Sequence, residues 1–230
     1  ILEKTTYGNY RIYIVNNQSI EKKTYDYLAG LKSNTKISVL QYNEPFNYSA
    51  LNNVAVKAIN ANNRPELLCL LNNDTEIISP NWLTEMATLA IQENNGCIGA
   101  KLLYPNETVQ HAGVILGLGG YAAHSHRGLK REAAGYFNRA NLRQNLLAVT
   151  AACLVVKNST YEQVNGMDES FKVAYNDVDF CLNVYHAGFN NIFTPHAMLY
   201  HDESKTRGKD YLSQEKKARF EREKQRLLKK

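Results

Sequence analysis

Three polar clusters in the chain hold side chains that could do chemistry: Asn72-Asn73-Asp74, Asn176-Asp177-Val178-Asp179 and His201-Asp202-Glu203-Ser204. The first ends the run Leu67-Leu68-Cys69-Leu70-Leu71, apolar without alternation, which is the pattern of a strand buried on both faces of a parallel sheet. Ligands of open α/β sheets bind at the carboxyl ends of such strands. A carboxylate there, Asp74, can hold a hard divalent cation, and the cation can hold phosphate oxygens. The same strand-then-Asn/Asp pattern is also an ordinary turn or helix-cap signal. Asp177 and Asp179 open a helix, where the macrodipole favours a carboxylate and where an Asp often only caps. His201 follows an apolar strand and reads either as a hydrogen-bonded structural histidine or as a ligand. Their joint presence in one α/β chain argues for a site.

The elements that must position these residues alternate along the first hundred positions. Arg11 to Val15 reads as a strand, Glu21 to Leu31 as a helix closed near Gly30, and Lys36 to Leu40 as a second strand. Leu51, Val54, Ala55, Ala58 and Ile59 recur at helical spacing. After Leu67–Leu71, Ser79 caps a helix beginning at Pro80, and Cys97 to Leu103 is a further strand. Such alternation predicts a right-handed, mostly parallel α/β sheet. From His111 to Asn145 six glycines accompany His124 and His126, and the segment reads either as substrate-facing loops or as plain surface loops. Leu147 to Val156 is expected to be a strand. A short helix stops at Gly166, a helix follows Asn176 and closes at Gly188, and Ala197 to Tyr200 forms the last strand.

Composition narrows the class. The 230 residues are 44% hydrophobic and 21% charged, which suits one large α/β domain. No apolar run approaches the roughly 20 residues needed to span a bilayer. The net charge is +5. Residues 209–230 contain nine Lys/Arg and four Asp/Glu, so the body to residue 208 holds 18 of each sign and is neutral. A neutral body argues against nucleic acid as a partner. Cys69, Cys97, Cys153 and Cys181 lack zinc-ligand spacing and are expected to be buried free thiols of a reducing compartment.

Six stretches in order resemble the family 2 glycosyltransferases of the GT-A fold, including bacterial polysaccharide and rhamnosyltransferase-type enzymes. Tyr7 to Ser19 looks like the family's second strand and its Asp-Asn-Gly-Ser turn. Leu71 to Glu76 matches the DxD position, and Val149 to Cys153 the apolar segment before the acceptor site. Gly166 to Phe171 looks like Gly-Phe-Asp-Glu-x-Phe, Asn176 to Leu182 like Glu-Asp-x-Asp-hydrophobic-x-Leu, and His201 to Gly208 like the closing His-x-x-Ser-x-x-Arg-Gly.

The resemblance implies a GT-A-like three-layer α/β sandwich over 1–208, with a mixed, mostly parallel sheet, followed by a basic helical tail over 209–230. It implies transfer of a sugar from a UDP- or dTDP-linked donor to a hydroxyl of a glycan or lipid-linked acceptor, inverting and dependent on Mg²⁺ or Mn²⁺. Asp74 would reach the metal, with Asn72 where relatives carry the first Asp, and His201 would be a second ligand or a diphosphate contact. Asp177 would be the general base and Asp179 an acceptor-side residue. Asn16 would contact the nucleotide base, and Arg207 would neutralise diphosphate charge. The family's first strand would precede residue 1, so the chain is expected to be the carboxyl-terminal portion of its enzyme. The tail either meets the anionic inner face of the cell membrane from the cytoplasm, or continues as a solvated helix. A non-catalytic nucleotide-sugar-binding or assembly module is the competing class. A nucleotidyltransferase is a third, but it would lack the Asn-Asp-Val-Asp block.

Overall fold

Apolar and β-branched runs become strands, and the amphipathic stretches between them become helices. The computed structural model describes residues 1–203 and 213–230. Its first half runs β1 (Ile12–Asn16), α1 (Lys22–Gly30), β2 (Ile37–Gln41), α2 (Tyr48–Asn62), β3 (Leu67–Leu71), β4 (Thr75–Ile77), α3 (Trp82–Ala90) and β5 (Asn95–Leu103). Three short strands follow, β6 (Val109–His111), β7 (Val114–Leu116) and β8 (Ala122–His124), then β9 (Gln144–Leu146) and β10 (Cys153–Lys157). The chain continues through α4 (Asn158–Gln163), α5 (Asn176–His186), β11 (Asn190–His201) and α6 (Gln214–Leu227).

A seven-stranded sheet has the order β3-β10-β5-β11-β4, with β6 added to β5 and β9 to β11. It is mixed: β5 and β11 run parallel, whereas β10 is antiparallel to both β3 and β5. β1 and β2 form a separate parallel pair, and β7 and β8 a hairpin. Helices cover both faces, giving three layers. One core gathers Val56, Leu154, Phe171, Phe180, Phe193 and Leu227, and the other Trp82, Met86, Ile98, Leu102, Val155 and Leu199. Each such side chain contributes about 1.5–3 kcal/mol by leaving water.

Two expectations about strands are corrected. β3 is not buried on both faces of a parallel sheet; it is an edge strand, antiparallel to β10, and Cys69 at its centre is exposed. Its outer side faces a cleft of about 2180 Å³ whose other wall includes Ile12 and Ile14 of β1. The apolar run from Leu147 is not one strand either, because β10 begins only at Cys153. Ala148 to Ala152 before it are buried, but the amides of Val149, Thr150 and Ala151 go to side chains, as described below.

Side-chain amides fasten the layers. Asn191, fully buried at the start of β11, donates to Leu147 O (2.9 Å) and Cys181 O (2.8 Å) and accepts from Cys97 N (3.0 Å). Asn53 of α2 accepts from Met167 N (3.0 Å) and Tyr161 OH (2.7 Å) and donates to Met167 O (2.9 Å). This grip needs Gly166, whose φ is +71° and whose added Cβ would lie 2.6 Å from Asn53 Oδ1. Gly166→Ala is therefore expected to lower unfolding free energy by about 1–3 kcal/mol in urea titration; unchanged stability would contradict this reading of the turn.

Candidate active site

The Asp74–His201 corner is made by strand pairing. β4 starts at Thr75, which pairs with His201 at the end of β11, and Asp202 N donates to Asp74 O (3.0 Å). Thr75 Oγ1 donates to Asn72 O (2.8 Å), closing the turn between β3 and β4. These bonds set His201 Nε2 3.0 Å from Asp74 Oδ1, with the two side chains 8% and 19% exposed. Asn72 Nδ2 lies 3.2 Å from the same nitrogen.

The histidine tautomer follows from its neighbours. Gln110 Nε2 donates to His201 O (3.3 Å), which turns Gln110 Oε1 toward His201 Nδ1 at 2.7 Å. Nδ1 therefore carries a proton and donates it, as a metal-ligating histidine does with its second nitrogen. In the neutral ring, Nε2 then carries the lone pair; it accepts from Asn72 Nδ2 (3.2 Å) and lies beside a carboxylate oxygen. The Asp74 carboxylate suits Mn²⁺ or Mg²⁺, ions that take much of their shell from substrate phosphates and water, and the imidazole adds one nitrogen donor beside it. No group of three or more His, Cys, Asp or Glu gathers among the described residues. The donor set thus fits an ion held by two protein side chains and completed by a ligand.

Asp177 lines the same cleft at the first turn of α5, behind Tyr175 at a left-handed φ of +59°. Its carboxylate is oriented from two sides. Oδ2 accepts from Thr150 Oγ1 (2.8 Å) and Ala151 N (3.2 Å), and Oδ1 from Val178 N (2.9 Å). Thr150 N in turn donates to His111 Nε2 (3.4 Å), and Val149 N to Cys181 Sγ (3.5 Å). The 149–151 segment therefore spends its amides on side chains, and one of those side chains is Asp177. Tyr48 OH donates to Ala151 O (2.8 Å) from the cleft wall.

The other expected site residues divide. Asn16 lines the cleft but is buried, and both ends of its amide are engaged: Nδ2 donates to Gln41 Oε1 (2.9 Å) and Oδ1 accepts from Ser19 N (3.3 Å). Asp179, expected on the acceptor side, is corrected to a structural role. Two residues beyond Asp177 it points to the other side of α5, as helical geometry requires. There it is fully buried, paired with Lys230 and accepting from Asn183 Nδ2 (3.2 Å). Burial raises the Asp179 carboxyl, with the Lys230 ammonium opposing the shift. Arg207 lies outside the described residues.

The basic tail is a docked helix over its described part. Leu227 enters the core, and Phe220 packs at a tilt against Tyr175 with ring centroids 5.3 Å apart. Buried Glu223 accepts from Lys172 N (2.9 Å) and Ala174 N (2.7 Å), fixing the loop that leads into Asp177. Sequence reasoning missed Glu223, Gln110 and His111 as parts of the site, because none carries a spacing signal, and it placed Thr150 only within the apolar segment before the acceptor site. No helix among the described residues is long and apolar enough to cross a membrane.

His111 and His124 sit between the two corners, and burial holds both imidazoles below the usual histidine range. A depressed folded value means the unfolded chain binds the proton first, so the stability these rings support is complete above about pH 6.5 and is lost as pH falls below it. Each imidazole is expected to contribute a slope of up to about 1.4 kcal/mol per pH unit there. His111→Gln should flatten urea-unfolding stability against pH below that point; a slope unchanged by the substitution would contradict the neutral buried pair.

No family model matches the chain. It is 49% identical over 225 residues to the uncharacterized protein y4gI of Sinorhizobium fredii, covering 97% of this chain and 24% of that protein. It is 35% identical over 211 residues to the O-antigen biosynthesis protein RfbC of Myxococcus xanthus, covering 91% and 16%. The chain thus spans a quarter or less of the length of these relatives. Among solved structures, GalNAc-T7 with UDP, GalNAc and Mn²⁺ superposes with a TM-score of 0.66 at 9% identity, over 93% of this chain and 41% of that one. The mannosyltransferase PcManGT of Pyrobaculum calidifontis, in complex with GDP-Man and Mn²⁺, superposes with a TM-score of 0.62 at 10% identity, over 91% and 53%. At such identities the likeness is one of architecture, and on that architecture the chain has the GT-A glycosyltransferase fold.

Proposed function

We propose that the protein transfers a sugar from a nucleoside-diphosphate donor to a hydroxyl of a glycan or lipid-linked acceptor during synthesis of a surface polysaccharide. The observation that carries this reading is that the Asp74–His201 corner and Asp177 line one cleft in a GT-A fold. Support for the pathway comes from the relative named for O-antigen biosynthesis, and support for the donor class from two structural neighbours that hold nucleotide or nucleotide sugar with Mn²⁺.

Asp74 and His201 would hold a divalent ion, which supplies Lewis-acid neutralisation of the diphosphate as negative charge develops on it. Asp177 is placed by Thr150, Ala151 and Val178 to take the proton of the attacking hydroxyl. The oxygen of that hydroxyl bonds to the anomeric carbon while the bond to the diphosphate breaks. One carboxylate on the acceptor side suffices for an inverting displacement, because attack comes from the face opposite the leaving group.

Asp177→Asn is expected to reduce transfer by roughly 10²–10⁴-fold while leaving nucleoside-diphosphate affinity unchanged. Transfer at the wild-type rate, measured with a donor found by screening nucleotide sugars, would sink the assignment. Asp74→Asn should remove Mn²⁺-dependent binding of UDP, dTDP or GDP in calorimetric titration. Metal-dependent binding that survives this substitution would place the ion elsewhere.

A further inference from the structure

Two imidazoles beside Asp177 take no part in the chemistry above. His111 is fully buried at the end of β6, and His124 is half-buried at the end of β8. Their rings meet edge to face with centroids 5.0 Å apart, and Nδ1 of one lies 2.8 Å from Nδ1 of the other. A bond between two nitrogens needs one to donate and the other to accept.

The direction is settled by a third group. Thr150 N, a backbone donor, points at His111 Nε2 from 3.4 Å, so that nitrogen accepts. A neutral imidazole carries one N–H, and in His111 it must then sit on Nδ1. His111 therefore donates to His124 Nδ1, and the proton of His124 is placed on Nε2. Burial favours the neutral form of both rings. His124 lines the cleft together with Gln110, Thr150, Asp177 and His201, and its Nε2 has no hydrogen-bond partner among the described residues. A donor of fixed polarity thus belongs to a residue lining the cleft that also holds Asp177 and the Asp74–His201 corner.

We propose that His124 is a further ligand-binding residue, its Nε2–H donating to an oxygen lone pair of the bound reactants, and that His111 is the positioning residue that sets this tautomer. The inference rests on the reading of the cleft as a sugar-transfer site. The oxygen belongs either to the diphosphate of the donor or to a hydroxyl of the acceptor. Both present the same lone-pair chemistry to a neutral N–H.

The test has a substrate-free arm and a binding arm. Side-chain ¹⁵N–¹H correlation spectra at neutral pH should show His124 protonated on Nε2 and His111 on Nδ1; a proton on His124 Nδ1 overturns the proposal. His124→Asn keeps an acceptor near the Nδ1 position but deletes the Nε2–H, whereas His124→Gln keeps an amide donor near Nε2. If the diphosphate is the partner, His124→Asn should weaken Mn²⁺-dependent binding of UDP, dTDP or GDP by roughly 3–10-fold, with partial recovery in His124→Gln. If an acceptor hydroxyl is the partner, diphosphate affinity stays constant and the acceptor KM rises by a similar factor in His124→Asn, again recovering in His124→Gln. Wild-type values for His124→Asn in both measurements overturn the proposal. Full transfer by Asp177→Asn would instead strike the sugar-transfer reading, and would leave the tautomer result standing.

Discussion

Three consecutive buried amides, those of Val149, Thr150 and Ala151, govern the arrangement of the cleft. They belong to an apolar run between β9 and β10, and they give their N–H groups to Cys181 Sγ, His111 Nε2 and Asp177 Oδ2 in turn. Leaving a buried N–H unpaired costs about 1–3 kcal/mol. Each amide therefore ties the run to another element. Cys181 and Asp177 are one helical turn apart, so two of the bonds dock the first turns of α5. The third docks the end of β6, and with it the His111–His124 pair. The stability of the segment and the placement of the carboxylate rest on the same hydrogen bonds.

The opposite corner is built by pairing rather than by side chains. β4 on β11 sets Thr75 opposite His201, and the turn from β3 brings Asp74 to the imidazole. Gln110 and His111 are neighbours on β6, one bonded to His201 and the other to the Thr150 amide. A short strand added to the sheet thus links both halves of the cleft. The GT-A fold accounts for where the corners lie, and these two residues account for how their rings and amides are turned.

Much of this was legible from residue types. The run Leu67–Leu71, the helical spacing through α2, and the acidic and histidine residues at element ends all appear in the structure at the expected positions. What was not legible depended on partners distant in sequence. Leu147 to Cys153 looks like strand because burial selects the same apolar residues whether an amide bonds to a strand or to a side chain. Asp177 and Asp179 look equivalent until the helix turns one toward the cleft and the other toward Lys230. The charge count of residues 209–230 suggested a solvated or membrane-facing tail. It could not reveal that Glu223 ends up buried on the amides of Lys172 and Ala174.

In the proposed reaction the Asp74–His201 corner holds a divalent ion against a diphosphate in the same cleft as Asp177. Paramagnetic broadening by substoichiometric Mn²⁺ in the presence of UDP, followed in amide ¹⁵N spectra, tests it most directly. Resonances of Asn72, Asp74, His201 and Gln110 are expected to broaden first, with Ala151 and Asp177 next, and Mg²⁺ in excess is expected to reverse the effect. Broadening centred elsewhere on the protein, or none near His201, would contradict it.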